Sequence, residues 1–596
     1  MQNDMRPNTS SLLVLGSTWV AVAFPTWLTA SSLPSTSFPT QIAAVLGWGV
    51  LVAVVGGFLG ADPSRWPNAD RHAGSGLFAV LLVLAMLGAG SAAGALVRGS
   101  PWPIALSRIG LLIASGVVLV TGYRAGAAAS PAHGGGRAAP FAAAFLWSLL
   151  VAGGVNAAIA VVQATAPEWT DGFWMAGMRG DDRPAGNIRQ PNFLATQVLW
   201  AIAAAAALCE MRRLPVTVFV GFTVLLLPVV VLTGSRIGFV AACLLTVWGG
   251  VDRRMSRATR WTLCAVPLLL LLDGLAIEAW SRAGGGGRVR PLSVASGRYA
   301  MWADTLSMIA ADPWWGVGMG EFNFAWTLTP SARRSDETFT HTHNLFLQWA
   351  VETGLPATLA MVALLAHGLR RMLHRARIAG GDEGVVRRCA VVVVGVVLLH
   401  SQTEYPLWFA YFLLPAAFAM GLALSPMAQP AAAPATRDVC GAKRRLCGLS
   451  ICGLLLILGG AGAIHDYRRV AAIYSPPDAA LPEAQRIAEG RKALLFGHHA
   501  DRLAGTLSPK GERDLQPYRR AVHEMLDLRL LMSWAQALDE NGETDRARYV
   551  AARVREFDGP IAQSFFVRCD KPRTPSEPLP FQCTPPARQF GYRDFR

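Results

Sequence analysis

Apolar runs of roughly 18–25 residues recur along the whole chain, and a run of that length matches the hydrocarbon core of a bilayer. Thirteen are counted, near 12–30, 41–60, 74–97, 103–122, 139–163, 192–209, 215–233, 236–250, 260–280, 343–368, 388–403, 406–425 and 447–466. Composition points the same way. Of 596 residues only 16% are charged, against about a quarter in a soluble protein, and the mean hydropathy is +0.34. These figures exclude a single water-soluble globule, a disordered chain, collagen and a small disulfide scaffold. The fold expected is an all-α polytopic membrane protein with about thirteen transmembrane helices. The first run leads straight into further spans, so it does not read as a lone cleaved signal peptide.

The net charge is +15, from 54 Lys+Arg against 39 Asp+Glu. A nucleic-acid binder would gather that charge on one face with aromatic or groove-reading residues. Here the arginines are scattered between apolar runs, which suits topology and an anionic, lipid-borne ligand. With the N-terminus in the cytoplasm, one set of loops holds Arg212-Arg213, Arg253-Arg254 with Arg257 and Arg260, Arg370-Arg371 with Arg375 and Arg377, and Lys443-Arg444-Arg445. Short loops on the other side are almost uncharged: 31–40 has none, and the 404–405 turn has only Glu404. Residues 1–190 then read as N-terminal membrane helices and 191–425 as a membrane core carrying a large outer loop, 281–342. Residues 426–466 read as the last span with its lead-in, and 467–596 as a soluble helical domain outside the membrane, periplasmic in a Gram-negative bacterium.

That last segment contains a helix–turn–helix pattern from Trp534 through Gly542 to Ala552, similar to one tetratricopeptide hairpin or to an ordinary helical hairpin. Residues 571–588 are proline-rich. Of nine cysteines, Cys569 and Cys583 are the pair on the outer side, where an oxidising compartment permits a disulfide. No Cys/His spacing points to zinc.

Polar residues within or beside membrane spans are costly and therefore candidates for function. Arg189-Gln190-Pro191-Asn192, Ser235-Arg236, Ser296-Gly297-Arg298, His341-Thr342-His343-Asn344 and Glu404-Tyr405 all fall on the outer side of this topology. Arg236 and Arg298 offer planar forks suited to phosphate oxygens, and two such forks can clamp a pyrophosphate. The plain alternatives are a snorkelling arginine at 236 and a solvated loop charge at 298. His343 has the chemistry of a general base for a hydroxyl, or of a helix-capping residue. A His341/His343 metal pair lacks a matching carboxylate set. Glu352, nine residues on, falls on the opposite helix face from His343 and is not expected to orient it directly unless the helix breaks.

Absent motifs narrow the chemistry further. No Gly-x-x-x-x-Gly-Lys-Ser/Thr loop occurs, and the glycine run 284–287 is not a phosphate cradle. Gly234-Ser235-Arg236-Ile237-Gly238 is not a hydrolase elbow, and no Asp-x-Asp pair suggests a metal-held nucleotide-sugar donor.

Residues 233–421 resemble the Wzy/O-antigen-ligase group of bacterial membrane glycosyltransferases. The resemblance is carried by Thr233-Gly234-Ser235-Arg236-Ile237-Gly238, Ser296-Gly297-Arg298 with Trp302, Pro313-Trp314-Trp315-Gly316-Val317-Gly318-Met319-Gly320 and His343-Asn344-Leu345-Phe346-Leu347-Gln348. Asn187 to Leu194, Ser401 to Trp408 and the added C-terminal domain look most like the PglL-type protein O-oligosaccharyltransferases. Trp314-Trp315 is followed by Gly316, not Asp, so the asparagine-linked class is not indicated. The resemblance implies an undecaprenyl-pyrophosphate-linked oligosaccharide as donor and a protein such as a pilin as acceptor. It implies Arg236 and Arg298 on the pyrophosphate, His343 as base, and Gln190, Asn192, His341, Asn344 and Tyr405 positioning glycan or acceptor. No metal, cofactor or nucleic acid is implied. An O-antigen ligase, a lipid-linked glycan polymerase and a transporter are the alternatives; mid-span charges and repeated halves, expected of a transporter, are not seen.

Overall fold

The computed structural model describes residues 9–60, 74–127, 140–178, 183–283, 297–332, 334, 337–426, 439–477, 481–509, 511, 513–557, 559–570 and 578–596. The glycine run 284–287 and Ser296 lie outside the described residues, as do residues 571–577 of the proline-rich stretch and the side chains of Lys443, Arg444 and Arg445. Among the described residues all regular structure is helical.

Among the described residues, six helices are long and apolar enough to cross a membrane: Phe38–Leu59, Ser75–Val97, Trp102–Ala127, Pro140–Thr165, Pro191–Glu210 and Gly448–Tyr474. Arg257–Cys264 and Val266–Arg282, bent by 47°, make a seventh if they form one span. The remaining apolar runs are shorter or interrupted. Val216–Leu232 has 17 residues, about 25 Å of helix against a hydrocarbon core of about 30 Å. The run at 12–30 breaks at Ala23, before Pro25. The run at 343–368 breaks at Gly354, between Leu345–Thr353 and Leu355–Ile378.

The chain forms two compact units. The first comprises Met1–Leu84, Ile113–Ser293 and Leu364–Gly462. Its centre is Pro191–Glu210, which starts at Pro191 behind a Gln190 cap and buries nearly every residue. Five consecutive alanines, Ala203 to Ala207, are fully buried there, and small side chains let helix backbones approach closely in lipid. Pro140–Thr165, Val216–Leu232, Arg236–Val251 and Gly381–His400 pack around it. Buried polar groups find partners: Trp200 Nε1–H donates to the Val393 carbonyl at 2.9 Å, and Thr196 Oγ1 lies 2.7 Å from His400 Nδ1. At one end, arginines tie helix termini together. Arg387 donates to the carbonyls of Ala423 and Ser425, Arg254 donates to that of Ala379, and Arg388 pairs with Asp252.

The second unit comprises Ala85–Leu112, Val294–Ala363 and Ala463–Arg596. Leu528–Glu540 and Thr544–Arg555 pack on each other through Leu531, Trp534, Ala535, Val550 and Val554, spaced to fall on one face. The same apolar core takes in Met301, Phe322, Trp326 and Val351, so the loop ahead of His343 and the C-terminal helices share one interior. A disulfide joins Cys569 to Cys583, with Cα atoms 5.5 Å apart.

Candidate functional site

In the second unit, residues 339–344 lead into the helix Leu345–Thr353. Asn344 caps it: its Oδ1 accepts the N–H groups of Phe346 and Leu347 at 3.1 and 3.0 Å. His343, half-buried, has φ +54°, the left-handed region that costs a residue with a Cβ about 1–2 kcal/mol. Its neighbours hold it there. The Trp302 indole N–H donates to the Thr342 carbonyl at 2.7 Å, and the Thr342 N–H donates to Gln348 Oε1 at 2.7 Å. The Thr342 hydroxyl donates to the Asn344 carbonyl at 2.8 Å. The Phe339 ring meets the imidazole edge-on, centroids 5.8 Å apart. Among the described residues Arg189 and Arg212 share a left-handed backbone with it.

Glu352 enters at one remove. One turn along the helix it hydrogen-bonds Gln348, and it also accepts from the backbone at Gly320 and Phe322. The tie to His343 therefore runs through Gln348 and Thr342, not by direct contact. His341 lies beside Thr340, Nδ1 to Oγ1 2.9 Å. Burial, with the charges of His343 and Arg108, pulls its pKa down to about 3 and leaves it neutral. Arg298 is the first residue of Arg298–Ala311, one turn before Trp302 and on the same helix face.

Arg236 belongs to the first unit and also opens a helix, Arg236–Val251, behind Ser235, whose Oγ accepts the Gly238 N–H at 3.1 Å. It is exposed. Both arginines thus combine a guanidinium with a helix N-terminus, two features that each favour an anion. The turn before Arg236 is tied to two other segments. Arg183 Nε–H donates to the Thr233 carbonyl at 2.6 Å, and its terminal NH2 reaches Asn192 Oδ1 at 3.5 Å. Asn192 Nδ2 in turn donates to Glu404 Oε1 at 3.1 Å. Residues 183–192, 233–236 and 404–405 therefore converge. Tyr405, next in the chain, stacks on Phe409 with centroids 5.9 Å apart. The Gln190 Oε1 accepts the Phe193 N–H at 2.8 Å. Gln190 and Asn344 are thus helix caps, and Asn192 is a cross-brace.

Residues 221–362 match the O-antigen ligase family. That O-antigen ligase region takes in Arg236, Arg298, His341, His343 and Asn344. Residues 389–559 match a second family, the virulence factor membrane-bound polymerase C-terminal region, which takes in Tyr405. The chain is similar to two proteins of Acinetobacter baylyi (strain ATCC 33305 / BD413 / ADP1). One is a general O-oligosaccharyltransferase, 26% identical over 253 residues, which are 40% of this chain and 43% of the relative. The other is a ComP-specific O-oligosaccharyltransferase, 25% identical over 287 residues, 46% of this chain and 50% of the relative. The matched stretches span about half the length of these relatives.

Sequence reasoning passed over Arg183. It sits in a loop, nine residues before the span at 192–209, and no local pattern marks an arginine whose partners lie at 192 and 233. Gln348 belongs to the His343–Gln348 motif, but its bond to Thr342 depends on the loop folding back over the helix.

Proposed function

We propose that this chain transfers a preassembled oligosaccharide from undecaprenyl pyrophosphate to Ser or Thr hydroxyls of a protein such as a pilin, at the periplasmic face of the bacterial inner membrane. The acceptor oxygen attacks the anomeric carbon. The bond from that carbon to the pyrophosphate oxygen breaks, and the electron pair leaves with the lipid pyrophosphate. His343 takes the hydroxyl proton. Arg236 and Arg298 neutralise the charge that grows on the leaving group, each aided by the helix it opens. Because the leaving group is already a stable anion, this chemistry needs no general acid, metal or cofactor.

The observation that carries this reading is His343, held in a left-handed backbone by Trp302, Gln348 and Asn344 inside the O-antigen ligase region. The two similar O-oligosaccharyltransferases support a protein acceptor. The arginine-rich helix ends support a cytoplasmic assignment for that side, and the Cys569–Cys583 disulfide suits an oxidising compartment for residues 467–596. The test is intact-mass analysis of candidate acceptors from cells with and without the gene, supplied with a defined lipid-linked glycan. Gene-dependent glycan mass on a pilin-type protein is the expected result. Glycan found only on lipopolysaccharide would replace the proposal with a lipid A-core ligase.

A further inference from the structure

We propose that His498, His499 and Glu524, in the second unit, form a binding site for one divalent transition-metal ion of the zinc class, separate from the residues assigned to transfer. The two histidines lie in the first turn of the helix Gly497–Leu507, and Glu524 lies in the turn that follows Tyr518–Ala521. His498 Nε2 and His499 Nδ1 each lie 3.1 Å from the same carboxylate oxygen, Glu524 Oε2. All three donor atoms fall within 4.8 Å of one another. A tetrahedral ion with ligands at about 2.0–2.1 Å sets its donors roughly 3.3 Å apart, so both nitrogen–oxygen edges are close to that length.

The donor set selects the ion. Two imidazoles and a carboxylate suit zinc and its neighbours, whereas calcium and magnesium ask for oxygen alone. Three protein ligands leave a fourth position for water. The histidine side chains are buried, at 5% and 9% exposure, while the Glu524 side chain is 32% exposed and gives a way in. His498 Nδ1 is buried and has no hydrogen-bond partner among the described residues. A metal on Nε2 requires the neutral tautomer that carries its proton on Nδ1. Arg502, the adverse charge nearby, is paired with Asp527.

Both walls of the site are rigidly placed. Gly505, on the histidine helix, accepts at its carbonyl from Tyr518 and Ser533 at 2.7 and 2.6 Å. On the other wall, the Leu526 N–H donates to Asn323 Oδ1 at 2.6 Å, and His523 pairs with Glu321. An ion bound here would clip the helix to the turn across 25 residues of chain. Sequence spacing did not show it, because an adjacent His-His pair has no ligand pattern until the fold brings Glu524 to it.

The test uses the full chain in detergent, purified without a histidine tag and stripped with chelator. Cobalt(II) added to the wild type is expected to give the intense visible bands of a tetrahedral site at one equivalent. Zinc should abolish those bands and raise the thermal unfolding midpoint. Glu524→Gln keeps the size of the side chain and should weaken zinc binding by more than the roughly 10- to 100-fold that losing an outer-sphere partner costs such sites. His465→Ala, in the helix Val439–Tyr474, should change nothing. A wild-type spectrum unchanged by cobalt, or bands that persist undiminished in the His498→Ala/His499→Ala/Glu524→Gln variant, overturns the proposal. Neither readout depends on transfer activity, so the site stands or falls apart from the proposed function.

Discussion

At the residue scale, the proposed chemistry rests on an imidazole whose backbone is held against its own preference. His343→Ala is expected to abolish glycan transfer in a reconstituted assay while the protein still inserts and retains its unfolding midpoint. Full activity in that variant removes His343 from the mechanism. Trp302 acts one step back, as a positioning residue. Trp302→Phe keeps the ring but loses the N–H to Thr342. One neutral hydrogen bond is worth about 1 kcal/mol, so kcat should fall roughly fivefold to tenfold with KM little changed. A rise in KM alone would place Trp302 in substrate binding instead. Residue types and order alone mark His343, Arg236 and Arg298 as candidates, because charge and imidazole stand out against apolar sequence. What the sequence cannot reveal is employment. The side chains of Gln190 and Asn344 cap helices, and a cap looks the same in sequence as a ligand. Arg183 stays invisible until Thr233 and Asn192 come to it.

At the scale of elements, periodicity locates the helices but not their interruptions. The break at Gly354 follows from contacts made elsewhere. The backbone of the loop at 313–318 lies against the end of Leu345–Thr353, with the Val317 N–H donating to the Val351 carbonyl at 2.8 Å and the Leu355 N–H to the Pro313 carbonyl at 2.7 Å. Two glycines make that approach possible. Gly316 has φ +61°, and a Cβ there would sit 2.5 Å from the Val351 oxygen; Gly354 has φ +80°, and its Cβ would sit 2.2 Å from the Trp314 oxygen. Gly316→Ala therefore combines a left-handed penalty with a backbone clash. It is expected to destabilise the second unit by about 2 kcal/mol or more, read as a lower midpoint in detergent thermal unfolding. A midpoint equal to wild type would mean the loop does not close on the helix as described.

At the scale of the molecule, the apolar runs announce a helical membrane protein, but the second unit is assembled from three distant stretches that no local pattern connects. Ser100 donates to Glu321 at 2.6 Å, and Glu321 pairs with His523 at 2.7 Å, contacts spanning 221 and 202 residues. Burial would raise the Glu321 pKa, but the His523 charge and hydrogen bond, with Ser100 and Arg108, outweigh it and hold the carboxyl below its ordinary value of 4.5. A carboxylate depressed by folding adds stability above that ordinary value and loses it as pH falls through the folded one. Glu321→Gln should cost roughly 1–3 kcal/mol of stability at neutral pH, read as a lower unfolding midpoint, and flatten the decline of that midpoint below about pH 4.5. A variant with the wild-type acid profile would show that the pair does not titrate with folding.

The shared interior of Phe322, Trp326, Trp534 and Val550 has a practical side. Cutting the chain at 467 to obtain a convenient water-soluble fragment would remove aromatic wedges that the terminal helices close around. Such a fragment should expose greasy surface, bind the dye ANS and aggregate, so whoever wants those helices alone must graft residues 298–353 back onto them.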